Sequence, residues 1–301
     1  MIDYEIVIPA FNCADELKQL FEDIHETCDR YKPKRIIVVD DASDDDETKY
    51  VGNIYHSRHF PVKTLVVNQH KGPFYAEKLG LDSVQSEFAI VLHSDTRLNV
   101  KIEVPDRLKP IWRRDLFIKL SKRLISDTLS VLASYISQVE NAAVVTCYSL
   151  DDRKTVKVSR GRRALGINKI PYSHYMEANF FTLKQADRFY NWQYIYSMDS
   201  NIYAVRTKVY KEIGFDELFA PYWLYHDDFC ARARQAGYQS YLTQDVVAFH
   251  PLTKRKHPAS LAIIIPDVYF TQSQHFIDRY DESALWTEAS FGIKTHTTEE
   301  I

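Results

Sequence analysis

The chain is short of glycine and of cysteine, has no excess of one charge, and contains no apolar run long enough to span a bilayer. Eight glycines occur in 301 residues, and none falls between Pro9 and Asn12, where the first apolar run ends. A glycine-rich phosphate loop at that point, the usual signature of a nucleotidyltransferase, is therefore missing. The four cysteines, Cys13, Cys28, Cys147 and Cys230, show no CxxC spacing. This pattern suits reduced, buried thiols better than a disulfide framework or a zinc site. Lys and Arg number 38 against 41 Asp and Glu, a formal net charge of −3, which gives no global electrostatic case for nucleic acid. The longest apolar run near the end, Leu261–Ile265, stops at Pro266, far short of a membrane span. Met1 leads straight into strand-like sequence without a signal-peptide pattern. A soluble, cytoplasmic protein is expected, a placement compatible with peripheral membrane attachment.

What is present reads as α/β. Hydrophobic residues make up 45% and charged residues 26%, as in ordinary globular proteins, which rules out disordered and fibrous classes. Four short apolar runs, Tyr4–Ile8, Arg35–Val39, Thr64–Val67 and Phe88–Leu92, alternate with helix-compatible sequence. Asp15–Cys28 places Leu17, Leu20, Phe21 and Ile24 on one face, and Phe74–Val84 repeats the spacing with Ala76, Leu79, Gly80 and Val84. Buried strands alternating with helices predict a parallel sheet with βαβ crossovers, whose ligands bind beyond the carboxyl ends of the strands. Polar runs sit at those ends: Pro9–Asn12, Asp40–Asp46, Asn68–Gly72 and His93–Arg97.

Further on, Ile111–Val139 reads as helical with a break near Ser126–Asp127, followed by a strand at Ala142–Tyr148. Met198–Arg206 is strand-like, Asp227–Ala236 a helix ended by Gly237, and Ser240–Thr243 and Val246–Phe249 two short strands. Without repeats or low-complexity linkers, one composite domain is expected. It would comprise one half over 1–100, a second half over 101–257 with a basic insertion near 151–172, and a helix and tail over 258–301.

Three clusters carry chemistry. His93-Ser94-Asp95 follows a buried strand, and side chains two apart along a strand share a side. An imidazole and a carboxylate there suit Mn2+ or Mg2+, with open positions for diphosphate oxygens. The structural alternative is a strand-end cap. Asp40 and Asp41 can accept hydrogen bonds from a base or ribose, whereas Ser43 and Asp44 are good caps for the next helix. Asp227 and Asp228 stand in a first helical turn, where acids complement the macrodipole, and Asp228 has Arg232 at i+4. Asp227 and the preceding His226 remain available to a cleft.

In order and spacing these blocks resemble family 2 glycosyltransferases with the GT-A fold. Glu5–Asn12 looks like the family's first strand, and Val38–Ser43 resembles its acidic nucleotide-binding turn. Asn68-Gln69-His70-Lys71-Gly72 with Ala76 and Gly80 is similar to its Asn-x-Gly-x-x-x-Ala segment. His93-Ser94-Asp95 takes the place of its Asp-x-Asp, and Ile213–Glu217 and the Asp228–Tyr238 helix match its acceptor-side blocks. The resemblance covers about residues 3 to 250. It implies a Rossmann-like, mostly parallel sheet flanked by helices, and a metal-dependent transfer from a nucleotide sugar, most readily a UDP-sugar, to an acceptor hydroxyl with inversion.

By the same resemblance Pro9, Ala10 and Asn12 line the nucleotide, and Asp41 or Asp40 contacts the base or ribose. Lys71 meets a phosphate or donor hydroxyl, Ser94 belongs to the donor site, and Asp95 and His250 ligate the cation. Two departures stand out: His93 replaces the usual first aspartate, and the family's base position falls on His226, with Asp227 one residue away. The base is thus Asp227, Asp228 or His226. In the transfer, Lys71 or Arg97 would add positive charge beside the departing diphosphate.

The basic run Arg153–Lys169 reads either as a solvated loop or as a contact for a polyanionic acceptor: nucleic acid, a lipid surface or an anionic glycan. Aromatics at Tyr172, Tyr175, Phe180, Phe181, Tyr190, Trp192 and Tyr194 could stack on sugars or fill a core. Rival readings are a nucleotidyltransferase and a binding module that has lost its chemistry, the latter favoured by His93.

Overall fold

A computed structural model describes residues 2–28, 30–56, 60–98, 127–150, 156–157, 192–194, 201–221 and 224–250, together with His275 and Arg279. The basic run, the aromatic stretch, the helical start at Ile111 and the tail beyond 258 lie outside these residues. The exceptions are the short strands at 156–157 and 192–194 and the two isolated positions.

The elements run β1 (Tyr4–Ala10), α1 (Ala14–Thr27), β2 (Arg35–Asp40), α2 (Asp46–His56), β3 (Val62–Val66), α3 (Pro73–Asp82) and β4 (Phe88–Leu92). There follow α4 (Thr128–Gln138), β5 (Ala142–Leu150), β6 (Val156–Lys157), β7 (Trp192–Tyr194), β8 (Ile202–Arg206), α5 (Thr207–Ile213), a 3-10 turn (Glu217–Phe219), α6 (Tyr225–Gln235) and β9 (Gln239–Phe249). One sheet joins all the strands in the order β3-β2-β1-β4-β8-β5-β9-β7, with β6 on β5.

Strand periodicity explains the layers. Ile6, Ile8, Ile36, Val38, Ile90 and Leu92 point to one face and pack with Leu17, Leu20 and Phe21 of α1 and Leu129 and Leu132 of α4. The alternate residues, Val7, Ile37, Val39, Ala89 and Val91, point to the other face and pack with Phe74 and Leu81 of α3 and Phe229 of α6. Both faces are covered, which is why the strands read as continuous apolar runs. Gly80 lets α3 approach closely: a Cβ there would collide with Val7 Cγ1 and come 3.1 Å from Val39 Cγ2. All four cysteines are buried and none is in a disulfide. Among the described residues no helix is long and apolar enough to cross a membrane.

The first four strands pair with one another in parallel. Their order, β3-β2-β1-β4, reverses at β1, so a crevice opens between the carboxyl ends of β1 and β4. The second half is mixed. β8 is antiparallel to both β4 and β5, and β9 is parallel to β5. Two reversals restore direction, so β9 ends at the same edge of the sheet as β4. The two short strands expected at 240–243 and 246–249 form a single strand: a register shift beside Cys147 and Tyr148 absorbs the intervening polar residues without ending the pairing.

Candidate active site

The turn after β4 is built by its backbone. His93 O accepts from Thr96 N at 2.9 Å, and Asn201 O accepts both His93 N at 3.0 Å and Thr96 Oγ1 at 2.9 Å. The strand therefore stops at Leu92, and His93-Ser94-Asp95 is a tight turn rather than the extended strand end expected from alternation. Arg97 then pairs with Phe249 through two backbone hydrogen bonds, 2.6 and 2.9 Å. That bridge sets His250 beside Asp95, with His250 Nε2 3.1 Å from Asp95 Oδ1.

One ligand atom from each of His93, Asp95 and His250 lies within 4.8 Å of the other two, and this is the only such group capable of holding a metal among the described residues. Donors at adjacent positions on one ion, with bonds of about 2.1 Å, stand about 3 Å apart, as this imidazole and carboxylate do. Nδ1 of His250 is buried with no hydrogen-bond partner. Burial, above all, lowers the pKa of His93 to about 4, against attraction from Asp95 and Glu77. His93 is therefore neutral at physiological pH, the state in which imidazole binds metal. The three residues fit a divalent cation. Ser94, 1% exposed, is buried inside their turn.

The end of β2 is fastened differently. Asp40 is wholly buried, and its carboxylate accepts the Ser43 hydroxyl and, more weakly, the Ser43 N–H. Ser43 Oγ in turn accepts Asn12 N at 2.9 Å. Ser43 is thus a link in this turn, and the helix cap predicted at Ser43 or Asp44 is supplied by Asp45, whose Oδ1 accepts Thr48 N. Asn12, at a φ of 46°, spends its amide on Asp44: Oδ1 accepts Asp44 N at 2.8 Å, and Nδ2 donates to Oδ2 at 3.3 Å. Asp41 accepts Lys71 N at 2.9 Å and Gly72 N at 2.7 Å, and His70 Nδ1 lies 2.8 Å from its Oδ2. Gly72 meets this carboxylate with a φ of 92°, which a side chain would oppose. Desolvation raises the Asp41 pKa against the lowering effect of those backbone donors and His70.

Pro9 and Ala10 line the start of the same loop, and Ala10 O accepts Asp41 N at 2.8 Å. Phe11 packs its ring 4.0 Å from that of His70. Lys71 is exposed, its ammonium 5.6 Å from the centre of the Tyr75 ring. Arg97, expected to face the diphosphate, instead grips Asp23 through Nε at 2.6 Å and Nη2 at 3.1 Å.

On the opposite wall the two aspartates of α6 part company. Asp228 is 0% exposed; its Oδ2 lies 2.7 Å from Arg232 Nε and its Oδ1 2.7 Å from Arg279 Nη1. Both oxygens are engaged, so the structural reading explains Asp228. Asp227 is 8% exposed. His226 directs Nε2 at Glu77 Oε1, 2.7 Å away. Glu77, fully buried on α3, also accepts the hydroxyls of Tyr203 and, at 3.1 Å, Tyr225. Burial alone would raise the Glu77 pKa; attraction to His226 and these hydrogen bonds outweigh it and lower it. Glu77 acts electrostatically on His93, which ties the two walls together. The sequence reading missed Glu77, although a signal exists: it lies between buried Phe74 and Leu81 at helical spacing, an acid on an apolar face.

Residues 5–115 match the family model for glycosyl transferase family 2. Comparison with curated proteins gives no match. Among solved structures, the chain is similar to a mannosyltransferase from Pyrobaculum calidifontis in complex with GDP-Man and Mn2+, with a TM-score of 0.52 and 16% identity over 93% of this chain and 63% of that one. It is also similar to residues 1–349 of S. aureus TarS in complex with UDP-GlcNAc, with a TM-score of 0.52 and 15% identity over 85% of this chain and 60% of that one. The chain thus spans less than two thirds of the length of these relatives. The fold is an α/β GT-A arrangement, with a mostly parallel central sheet flanked by helices.

Proposed function

We propose, from the match of residues 5–115 to a glycosyltransferase family and a sheet of GT-A type, that the chain is a metal-dependent glycosyltransferase. Its donor is a nucleoside-diphosphate sugar, with a UDP-sugar the first to test, and its acceptor presents a hydroxyl. The observation that carries this reading is the convergence of His93, Asp95 and His250 at the carboxyl edge of the parallel strands.

The loop of Pro9, Ala10 and Asn12 and the Asp40–Asp41 turn form the nucleotide wall. Since both carboxylates already hold loop backbone or Ser43, their role is to shape that wall, and ligand contact falls to exposed groups such as Lys71, which meets the phosphates. Ser94 fixes the turn that presents the metal ligands. A cation bound by His93, Asp95 and His250 would neutralise charge developing on the departing diphosphate. Asp227, on the facing helix, takes the proton of the acceptor hydroxyl as that oxygen bonds to the anomeric carbon and the bond to the diphosphate breaks. A single displacement inverts the anomeric configuration. Asp228, held by Arg232 and Arg279, anchors the helix that carries the base. The acceptor class offered for testing is polyanionic, met through Arg153–Lys169.

A screen of nucleotide sugars for metal-dependent release of nucleoside diphosphate tests the donor assignment. With the donor so found, Asp227→Asn should retain donor binding while transfer falls by about 100-fold or more. Unchanged transfer by that variant would remove Asp227 from the mechanism. A chain that binds nucleotide sugar yet never turns it over would instead be a binding module.

A further inference from the structure

The geometry points to a cation site selective for transition metals over Mg2+, most strongly for Co2+ and Zn2+ and less so for Mn2+. This rests on the preceding reading for its purpose, though not for the binding itself.

The donor set is two imidazoles and one carboxylate, His93, His250 and Asp95. With neutral imidazoles its formal charge is −1, where two carboxylates and an imidazole would give −2. Mg2+ is held chiefly by charge and by oxygen, and it gives up its water reluctantly. Imidazole nitrogen suits transition ions, whose affinities for such sites rise from Mn2+ through Co2+. Replacing one carboxylate by a ring nitrogen therefore weakens Mg2+ and favours the transition ions.

Among the described residues no second carboxylate joins this three-residue group. Glu77, whose field reaches His93, is committed to Tyr203, Tyr225 and His226. Asp23 is committed to Arg97 and to Leu98 N, and Asp41 to the backbone at Lys71 and Gly72. With these carboxylates engaged elsewhere, the preference among the described residues is set by the three ligands.

The test is calorimetric titration of the metal-free full chain with Mg2+, Mn2+, Co2+ and Zn2+, with the visible spectrum of bound Co2+ reporting nitrogen ligation. Co2+ and Zn2+ should bind about 100-fold or more tighter than Mg2+, with Mn2+ between. His93→Asp should narrow the Co2+ to Mg2+ ratio by about tenfold, and His250→Asp should act in the same direction. Mg2+ binding within tenfold of Co2+, or a ratio unmoved by both variants, overturns the inference. If the preference holds but no nucleotide sugar is cleaved with any of the four ions, the metal assignment stands and the glycosyltransferase reading falls. If Mg2+ binds and supports transfer as well as Co2+ does, the reverse applies.

Discussion

The two walls of the crevice are built on opposite principles. On the β1–β2 side the acids are held largely by the chain around them: Asp40 by Ser43 three residues on, and Asp41 by the amides of one neighbouring loop. On the β4–α6 side side chains hold one another across the fold, Glu77 with Tyr203, Tyr225 and His226, and Asp228 with Arg232 and Arg279. The first wall keeps its shape by loop geometry, so one lost side chain costs one or two bonds. The second is a set of buried charges that stand or fall together, because removing one partner strands the rest without compensation.

The sharpest way to break this comparison is Glu77→Ala. It leaves two buried hydroxyls and an imidazole without their acceptor and should lower unfolding free energy by about 3–5 kcal/mol, read by urea denaturation. A loss no greater than that of a single hydrogen bond would show the second wall to be no more cooperative than the first.

Acid should act next, again on the second wall. Between about pH 6.5 and 4 the unfolded chain binds a proton at His93 that the folded protein refuses. Stability of the metal-free protein should therefore fall as the pH drops through that window, by about 1–3 kcal/mol. Below its ordinary value of 4.5, the lowered pKa of Glu77 adds a second loss of the same sign. Denaturation at pH 7 and pH 5 measures the first effect, and His93→Gln should flatten it.

Smallest is Ser43→Ala on the first wall. It removes the hydroxyl bonded to Asp40 and Asn12 N and should cost about 1 kcal/mol by the same assay.

The same division decides what sequence patterns reveal. The ends of β2 and β4 are legible because a buried strand is an unbroken apolar run and its polar stop marks the crevice. His93 and Asp95 follow from the stop of β4, one and three residues past it, whereas His250, one residue past β9, is reached only through the family resemblance. The roles of Asn12 and Arg97 do not follow, since type and spacing give no sign that their partners are Asp44 and Asp23; for Asp228 the spacing shows Arg232 but not Arg279. Glu77 was hidden by lying within a helix whose apolar spacing seemed sufficient explanation. The expected break in β9 failed because sequence shows the polar residues Gln244 and Asp245 but not the neighbour strand that carries the pairing across them.

The backbone bridge between Arg97 and Phe249 has a consequence for biosynthesis. The parallel strands and the β1–β2 wall are encoded in residues 4–92, yet the third member of the group of His93, Asp95 and His250 follows only at residue 250. Under the proposed function, capture of a cation would therefore wait until that histidine has been made, and a truncation upstream of it would leave the three-residue group incomplete.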